Sequence, residues 1–312
     1  MGQSALSGTF GRMHRMTFRS TGFAVAMAWL ASCGAAPQGM QTGIKRGDLQ
    51  GAQAEQYRQL VAEGDAAWEQ RADRAKLEQA IAKWEAAIRL KDDDADTYLK
   101  LTKALYELAD GWLAFDDGQT EAYLQTHLKG VQYAERGMAA LSPEFEKRRR
   151  TGAKVEDAVA VLGRDGVPLM YWYASNMGKW GKAKGFSTVL KHKDAIFKIV
   201  SRVFELDRDY FYGAADRYFG AFYAVAPAFA GGDLKKSYEH FQESLKRGPK
   251  YLATYVLIAE LYAPKAQDPK LFDENLRFVL DAPLDILPGL EPEAAIEKKK
   301  AKRLLERRDE LF

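Results

Sequence analysis

The 312-residue sequence contains a single cysteine, Cys33. No disulfide can therefore form within the chain, and a fold of this length has to be stabilised by an apolar core. With 47% apolar residues, the chain can supply such a core. The position of Cys33, directly after a short apolar run, indicates a role other than cross-linking.

The first 32 residues lack acidic side chains. They contain three arginines, and the nine apolar residues from Phe23 to Ala31 follow. That run is shorter than the roughly 20 residues that a membrane-spanning helix needs. A basic start, a short apolar run and small residues at the end are typical of a secretory signal. We therefore predict that residues 1–32 are a signal peptide that is cleaved.

The order Leu30-Ala31-Ser32-Cys33 matches a bacterial lipobox, in which the cysteine is lipidated and becomes the first residue of the mature protein. The sequence thus predicts lipidation at Cys33 and attachment to the membrane by a lipid anchor, with the protein facing the periplasm. Gly34, in place of an aspartate, favours the outer membrane. The alternative is an ordinary buried cysteine after a cleaved signal.

The predicted mature chain also has no net excess of positive or negative charge. The net charge of +3 equals the three arginines of the signal, so that 43 basic and 43 acidic residues remain. No basic domain and no aromatic–basic recognition motif is present. These absences argue against a nucleic-acid partner.

Residue patterns for metal binding or catalysis are sparse. The four histidines stand far apart, and neither an HExxH nor a GxSxG motif occurs. We interpret the run Asp92 to Asp94 as a helix cap rather than a cation loop, and Gly231 to Asp233 as a turn with a helix cap. Gly178 to Lys182 resembles a phosphate loop only in composition, and a solvated helix end is the preferred interpretation. We predict no catalytic residue, no metal site and no cofactor, and therefore no enzyme.

Helical periodicity begins at about residue 51. Residues 33–50 are small, polar and aperiodic, which predicts a flexible tether. Apolar residues then recur on one face of successive segments, while no strand pattern is found and prolines fall between the segments. The sequence predicts one compact all-α domain over residues 51–312, with a charged last helix from about Glu293 to Phe312.

The predicted helices come in pairs, which suggests a repeat. Tetratricopeptide units of about 34 residues need small side chains where their two helices touch. Ala80 and Ala87 suit one unit, and Ser237, Ser244 and Ala259 suit another. We therefore predict a solenoid-like array of four or five degenerate tetratricopeptide-type helix pairs. The alternative is a helical domain in which small residues match by chance.

Aromatic residues are unusually dense between residues 171 and 262. They are too many to form one buried stripe, so a central helix is either buried on all sides or lines a hollow interior. For the hollow interior, the candidate cavity residues are Tyr171, Asn176, Tyr212, Asp216, Arg217, Phe222 and Tyr223. A buried Arg217 needs a partner, and Asp216, Asp207 or a carboxylate solute are the candidates.

A family resemblance rests on three features: the lipobox, the segment MYWYASNMGKW at residues 170–180, and the run at residues 206–249. The last of these contains Tyr212-Gly213 with Arg217 and Gly220, then Pro227, Gly231 to Leu234, His240 and Phe241. The chain resembles the T component of tripartite ATP-independent periplasmic (TRAP) transporters.

This resemblance implies a lipid-anchored protein of cryptic tetratricopeptide pairs that assembles as a homotrimer. It also implies binding to the transporter's periplasmic solute-binding protein, and a pore or cavity suited to an apolar or amphipathic solute. The runner-up is an envelope-assembly scaffold of tetratricopeptide type with no small-molecule site. A periplasmic hydrolase, the third class, lacks a candidate triad.

Overall fold

The structure, a computed structural model, describes residues 42–312. These residues are helical, with no β-strand among them, and the predicted all-α class is confirmed. They belong to one compact unit. The predicted signal peptide, the lipidation site Cys33 and the first part of the predicted tether lie outside the described residues.

The first part of the described range forms seven α-helices, with short 3₁₀ turns between some of them. They are α1 (Gly51–Trp68), α2 (Arg74–Leu90), α3 (Ala95–Gly111), α4 (Thr120–Leu141), α5 (Pro143–Arg150), α6 (Val155–Ala158) and α7 (Val167–Lys184).

Eight more helices follow, and a π-helical turn, Ile258–Tyr262, separates the fourth and fifth of them. They are α8 (Phe186–Leu206), α9 (Tyr210–Val225), α10 (Leu234–Arg247), α11 (Leu252–Leu257), α12 (Ala263–Ala266), α13 (Pro269–Asp281), α14 (Glu291–Glu306) and α15 (Arg308–Leu311). The charged last helix of the sequence analysis corresponds to α14 and α15.

Aspartates begin several of these helices. The Asp94 carboxylate accepts hydrogen bonds from the backbone N–H groups of Asp96 and Thr97 at the start of α3. Asp233 accepts one from the N–H of Lys236 at the start of α10. These three bonds satisfy donors that a helix start leaves without an intrahelical partner. The cap interpretation of these two sites is therefore supported by the geometry.

The residues just before α1 are attached to the folded part. The N–H of Ile44 donates to Glu146 at 2.8 Å, the N–H of Lys45 donates to Asp92 at 2.9 Å, and Ile44 is buried. The tether predicted over residues 33–50 thus includes residues that are hydrogen-bonded to the helical part. These backbone N–H groups donate to Glu146, which is buried, and to Asp92, which is half-buried, and so attach the segment around Ile44.

Neighbouring helices approach closely where side chains are small. A Cβ atom added at Gly64 of α1 would lie 2.4 Å from the Trp84 indole of α2, so only glycine permits this contact. Ala80 and Ala87 of α2, and Ala259 in the π-helical turn, are fully buried. Small residues thus occur at helix contacts, as the sequence pattern predicts.

The helical array closes on itself. Helix α3 packs against α7, α7 against α9, and α9 against the π-helical turn, while α11 packs against α14 and α14 returns to α3. In an open solenoid each repeat contacts only its neighbours along the chain. Here the contact between α14 and α3 completes a circuit of helices, and this circuit encloses the space described below.

Candidate ligand cavity

A cavity of about 890 Å³, here named the ligand cavity, lies inside this circuit of helices. Its lining comes mainly from α3, α7, α8, α9, α11, the π-helical turn and α14. Phe186 and Val225 line it and are also exposed, so the cavity reaches solvent near α8 and the end of α9.

One wall of the cavity is aromatic. Trp172 makes edge-on contacts with Tyr106, Tyr171 and Phe211 at ring-centroid distances of 5.2, 5.2 and 5.3 Å. Phe211 in turn contacts Tyr251 at 5.3 Å. These geometries are favourable for aromatic pairs, and they give the cavity a fixed apolar surface with a few hydroxyl groups.

Arg217 supports this wall from α9. It is 3% exposed, its guanidinium donates to the hydroxyl of Tyr171 at 3.0 Å, and it lies 4.4 Å from the ring centroid of Tyr251. The guanidinium also donates to the backbone carbonyls of Phe211 and Tyr212 at 3.2 and 3.1 Å. Arg217 therefore connects the aromatic wall to the first turn of α9.

That first turn has unusual backbone geometry. Phe211, Tyr212 and Gly213 have φ angles of 44°, 61° and 69°, in the left-handed region that side chains other than glycine disfavour. The carbonyls of Phe211 and Tyr212 in this turn accept the hydrogen bonds from Arg217. The turn places the Phe211 ring in the cavity, against Trp172 and Tyr251.

A buried ion network crosses the cavity from α3 to α7 and α14. Asp110 of α3 accepts hydrogen bonds from Lys179 of α7 and Lys300 of α14, and Lys300 also binds Glu297 at 2.7 Å. Burial by itself would raise the pKa of Asp110, but the two lysines hold that pKa well below its usual range. The carboxylate thus stays ionised and joins three helices.

A second charged group lies on the same face of α3. Arg71 donates to Glu293 of α14 at 2.9 Å and lies 3.6 Å from Glu107 of α3. Burial raises the pKa of Glu107 to about 8, and the neighbouring Glu293 adds to this effect. Burial thus favours the protonated form of Glu107. Lys103 lies one turn earlier on α3 and lines the cavity with Glu107 and Glu293.

The family model described as TRAP transporter T-component matches residues 124–312, more than half of the sequence. The chain belongs to this family. Membership gives it a role in TRAP transport. A comparison with curated proteins found no match.

Three of the predicted site residues of this T component line the ligand cavity: Tyr171, Arg217 and Phe222. The other four do not line it. Asn176 is fully buried and does not line the cavity. Its amide nitrogen donates to the carbonyls of Thr102 and Trp172 at 3.3 and 2.9 Å. Its oxygen lies 2.9 Å from Nδ1 of His127, and burial lowers the pKa of His127 to about 4, so the neutral imidazole donates this bond.

Tyr212, Asp216 and Tyr223 point away from the cavity towards α10 and its surroundings. Tyr212 stacks on Tyr251 at a centroid distance of 5.0 Å, and Tyr223 stacks on His240 at 5.6 Å. Helical geometry explains this result, because residues next to each other in α9 face different directions. Arg217 and Asp216 therefore cannot both face the same space.

The expected ion pair of Arg217 with Asp216 or Asp207 is wrong. Asp216 instead accepts from Arg208 at 2.8 Å and pairs with Nδ1 of His240 at 2.8 Å. Burial opposes ionisation of Asp216, but these two hydrogen bonds keep its pKa below the usual range. Asp207 binds Arg164 at 3.0 Å. The guanidinium of Arg217 donates instead to carbonyl and hydroxyl oxygens, and no sequence pattern predicts these partners.

The interpretation of Gly178 to Lys182 as a solvated helix end also needs correction. These residues lie in the last turns of α7, where Trp180 and Gly181 are buried and Lys179 joins the ion network with Asp110. Sequence reasoning also missed Lys103, Glu107, Asp110 and Lys300. Their only signal was the presence of charged residues within otherwise apolar helical patterns.

Two further properties concern the described residues 42–312 alone. They contain no group of three or more His, Cys, Asp or Glu side chains placed to hold a metal ion. None of the helices there is both long enough and apolar enough to cross a membrane.

Proposed function

We propose that this T component is a periplasm-facing lipoprotein, anchored through Cys33, that binds the periplasmic solute-binding protein of a TRAP transporter. In this proposal the ligand cavity holds or passes an apolar or amphipathic solute. Tetratricopeptide-type helix pairs present the binding surface for the partner protein, and the chain assembles as a homotrimer on the outer membrane.

The ligand cavity is the observation that carries the solute part of the proposal. Its volume of about 890 Å³ lies in the range typical of small-molecule pockets, about 300 to 1,000 Å³. Protein interiors are normally packed as densely as organic crystals. A space of this size, kept open by an aromatic wall and two buried charged groups, indicates that the space itself is used.

The test measures binding of an apolar fluorescent probe, N-phenyl-1-naphthylamine, whose emission rises in apolar surroundings. Phe222 lines the cavity and is half-buried, whereas Phe241 is fully buried outside the cavity lining. Phe222→Ala should change the probe affinity and cost little stability. Phe241→Ala should cost about 3 to 5 kcal/mol, as expected for an enclosed phenylalanine, and leave the affinity of the folded fraction unchanged.

Absence of probe binding to the wild type would contradict the solute part and favour the scaffold function. The same follows if Phe222→Ala unfolds the protein as strongly as Phe241→Ala, because Phe222 would then belong to a solid core. The partner is tested separately, by co-purification with a TRAP-type periplasmic solute-binding protein from the same organism.

The anchor is tested by Cys33→Ser. Because the lipobox cysteine is the proposed attachment point, the variant should move from the membrane fraction to the soluble periplasmic fraction. A variant that stays in the membrane pellet after a high-salt wash would show that another feature attaches the protein.

A further inference from the structure

Lys103 differs from the other lysines that line the ligand cavity near it. Its ammonium lies 5.9 Å from the ring centroid of Trp68 and 6.0 Å from that of Trp172, within the range of cation–π attraction. Within residues 42–312, no carboxylate lies within 4 Å of this ammonium. By contrast, Lys179 and Lys300 share Asp110.

The residues around Lys103 do not balance its charge. Arg71 and Glu293 form an ion pair at 2.9 Å and cancel each other. Glu107 is 6% exposed, its Oε1 atom has no hydrogen-bond partner among the described residues, and burial raises its pKa, which favours the neutral carboxyl group. Burial lowers the pKa of Lys103, and the nearby Glu293 and Glu107 oppose this shift only in part. Arg71 thus pairs with both carboxylates, and Lys103 has no ion-pair partner of its own among residues 42–312.

We propose that Lys103 binds the single negative charge of an amphipathic ligand whose apolar part lies along the aromatic wall of the ligand cavity. This inference rests on the proposed function, in which the cavity holds a solute. Trp68 and Trp172 flank the ammonium, and Trp172 continues into the contacts with Tyr106, Tyr171 and Phe211. The charged and apolar subsites are thus contiguous.

Other head groups suit this position less well. A cationic head group would be repelled by Lys103, and a neutral one would leave a desolvated charge uncompensated, which is costly in an apolar environment. Arg217, which donates to Tyr171, is a second buried cation without a carboxylate partner in the described range, and its charge also favours an anion.

The proposed head-group site lies on α3, outside residues 124–312 that the family model matches. The family likeness therefore does not define this site. The proposed site around Lys103 would select an anionic ligand over a neutral or cationic one.

The experiment compares three ligands with the same alkyl chain: dodecanoate, dodecan-1-ol and dodecylammonium. Each is titrated against the full chain at neutral pH, by displacement of N-phenyl-1-naphthylamine. Dodecanoate should bind about tenfold or more tightly than dodecan-1-ol, since a hydrogen bond to a charged group contributes at least that factor. Dodecylammonium should bind most weakly.

Lys103→Met should abolish the preference for dodecanoate and leave the affinity for dodecan-1-ol unchanged. Lys103→Arg should keep the preference, because the charge is retained. Lys100→Met is the matched control: Lys100 lies one turn earlier on α3 and pairs with Asp65 at 2.7 Å, and it does not line the cavity. This variant should bind all three ligands like the wild type.

Equal binding of dodecanoate and dodecan-1-ol would overturn the inference while the proposed solute function stands. A preference that survives in Lys103→Met would overturn it in the same way. If the wild type binds none of the three ligands and no probe, the proposed solute function itself is wrong, and the inference fails with it.

Discussion

Two carboxyl groups three residues apart on α3 show how strongly the partners of a buried group decide its charge. Glu107 and Asp110 both line the cavity, and burial acts to raise the pKa of both. Asp110 receives hydrogen bonds from two lysines, and its pKa falls below its usual range. Glu107 has Arg71 only at 3.6 Å and Glu293 close by, and its pKa rises to about 8. Burial therefore raises the pKa of a carboxyl group when no cation is close enough to stabilise its charged form.

The raised pKa of Glu107 predicts a pH dependence of stability. The unfolded chain releases this proton near the usual glutamate pKa, about 4.3, whereas the folded protein keeps it until about pH 8. Since the folded state holds more protons in this window, stability falls as pH rises through it. Glu107→Gln removes the titration. Its stability gain over the wild type should grow from about pH 5 to about pH 8, as measured by thermal unfolding.

Glu63→Gln is the control for this measurement. A hydrogen bond from Lys83 lowers the pKa of Glu63, so its titration lies below the window. The difference between this variant and the wild type should stay constant from about pH 5 to about pH 8. A constant difference for Glu107→Gln as well would contradict the raised pKa of Glu107.

Close contact between α1 and α2 depends on small residues and one large side chain. Trp84 of α2 fills the space left by Gly64, and its indole N–H donates to Asp65 at 3.0 Å. Ala80 is fully buried one turn earlier in α2. The sequence pattern predicted a close helix contact at Ala80. The contact between Trp84 and Gly64 is evident only from the packing of the two helices.

Ala80→Phe should therefore overpack this contact and cost about 1 to 3 kcal/mol or more. Ala75, in the first turns of the same helix, is exposed, and Ala75→Phe is the matched control. Chemical denaturation of both variants measures the difference. An Ala80→Phe protein as stable as the Ala75→Phe protein would mean that α2 does not pack as described.

At the scale of the whole molecule, the chain is closed by contacts between residues far apart in sequence. Asp110 of α3 binds Lys300 of α14, 190 residues away, and Arg71 binds Glu293. The side chain of Ile296 also fills the space over Gly111. These contacts bring the last long helix against α3 and complete the wall of the ligand cavity.

Asp110→Asn should open this closure. The change removes the shared counter-charge of two lysines, and breaking a buried ion network in this way costs about 3 to 5 kcal/mol. Asp117→Asn is the control. Asp117 is exposed, and the variant loses only an ion pair with Arg303 at 3.5 Å. The loss of stability should therefore be below about 1 kcal/mol. Urea unfolding compares the two. Equal small losses would show that solvent screens the Asp110 network.

The sequence by itself determined the helical class, the position of several helix starts and the density of aromatic residues around α7 and α9. These features follow from local causes: apolar period, capping side chains and composition. The same density of aromatic residues suggested seven candidate cavity residues, of which Tyr171, Arg217 and Phe222 line the ligand cavity.

Only the tertiary structure decided which side of α9 meets the cavity and which charges line it. Asp216 forms hydrogen bonds with Arg208 and with His240 of α10. Arg217 instead donates to the Tyr171 hydroxyl and to two backbone carbonyls. Lys103, Glu107 and Asp110 look like ordinary helix-surface charges in the sequence. Their role depends on α14 packing over α3, since burial and counter-charge are set by residues nearly 200 positions away.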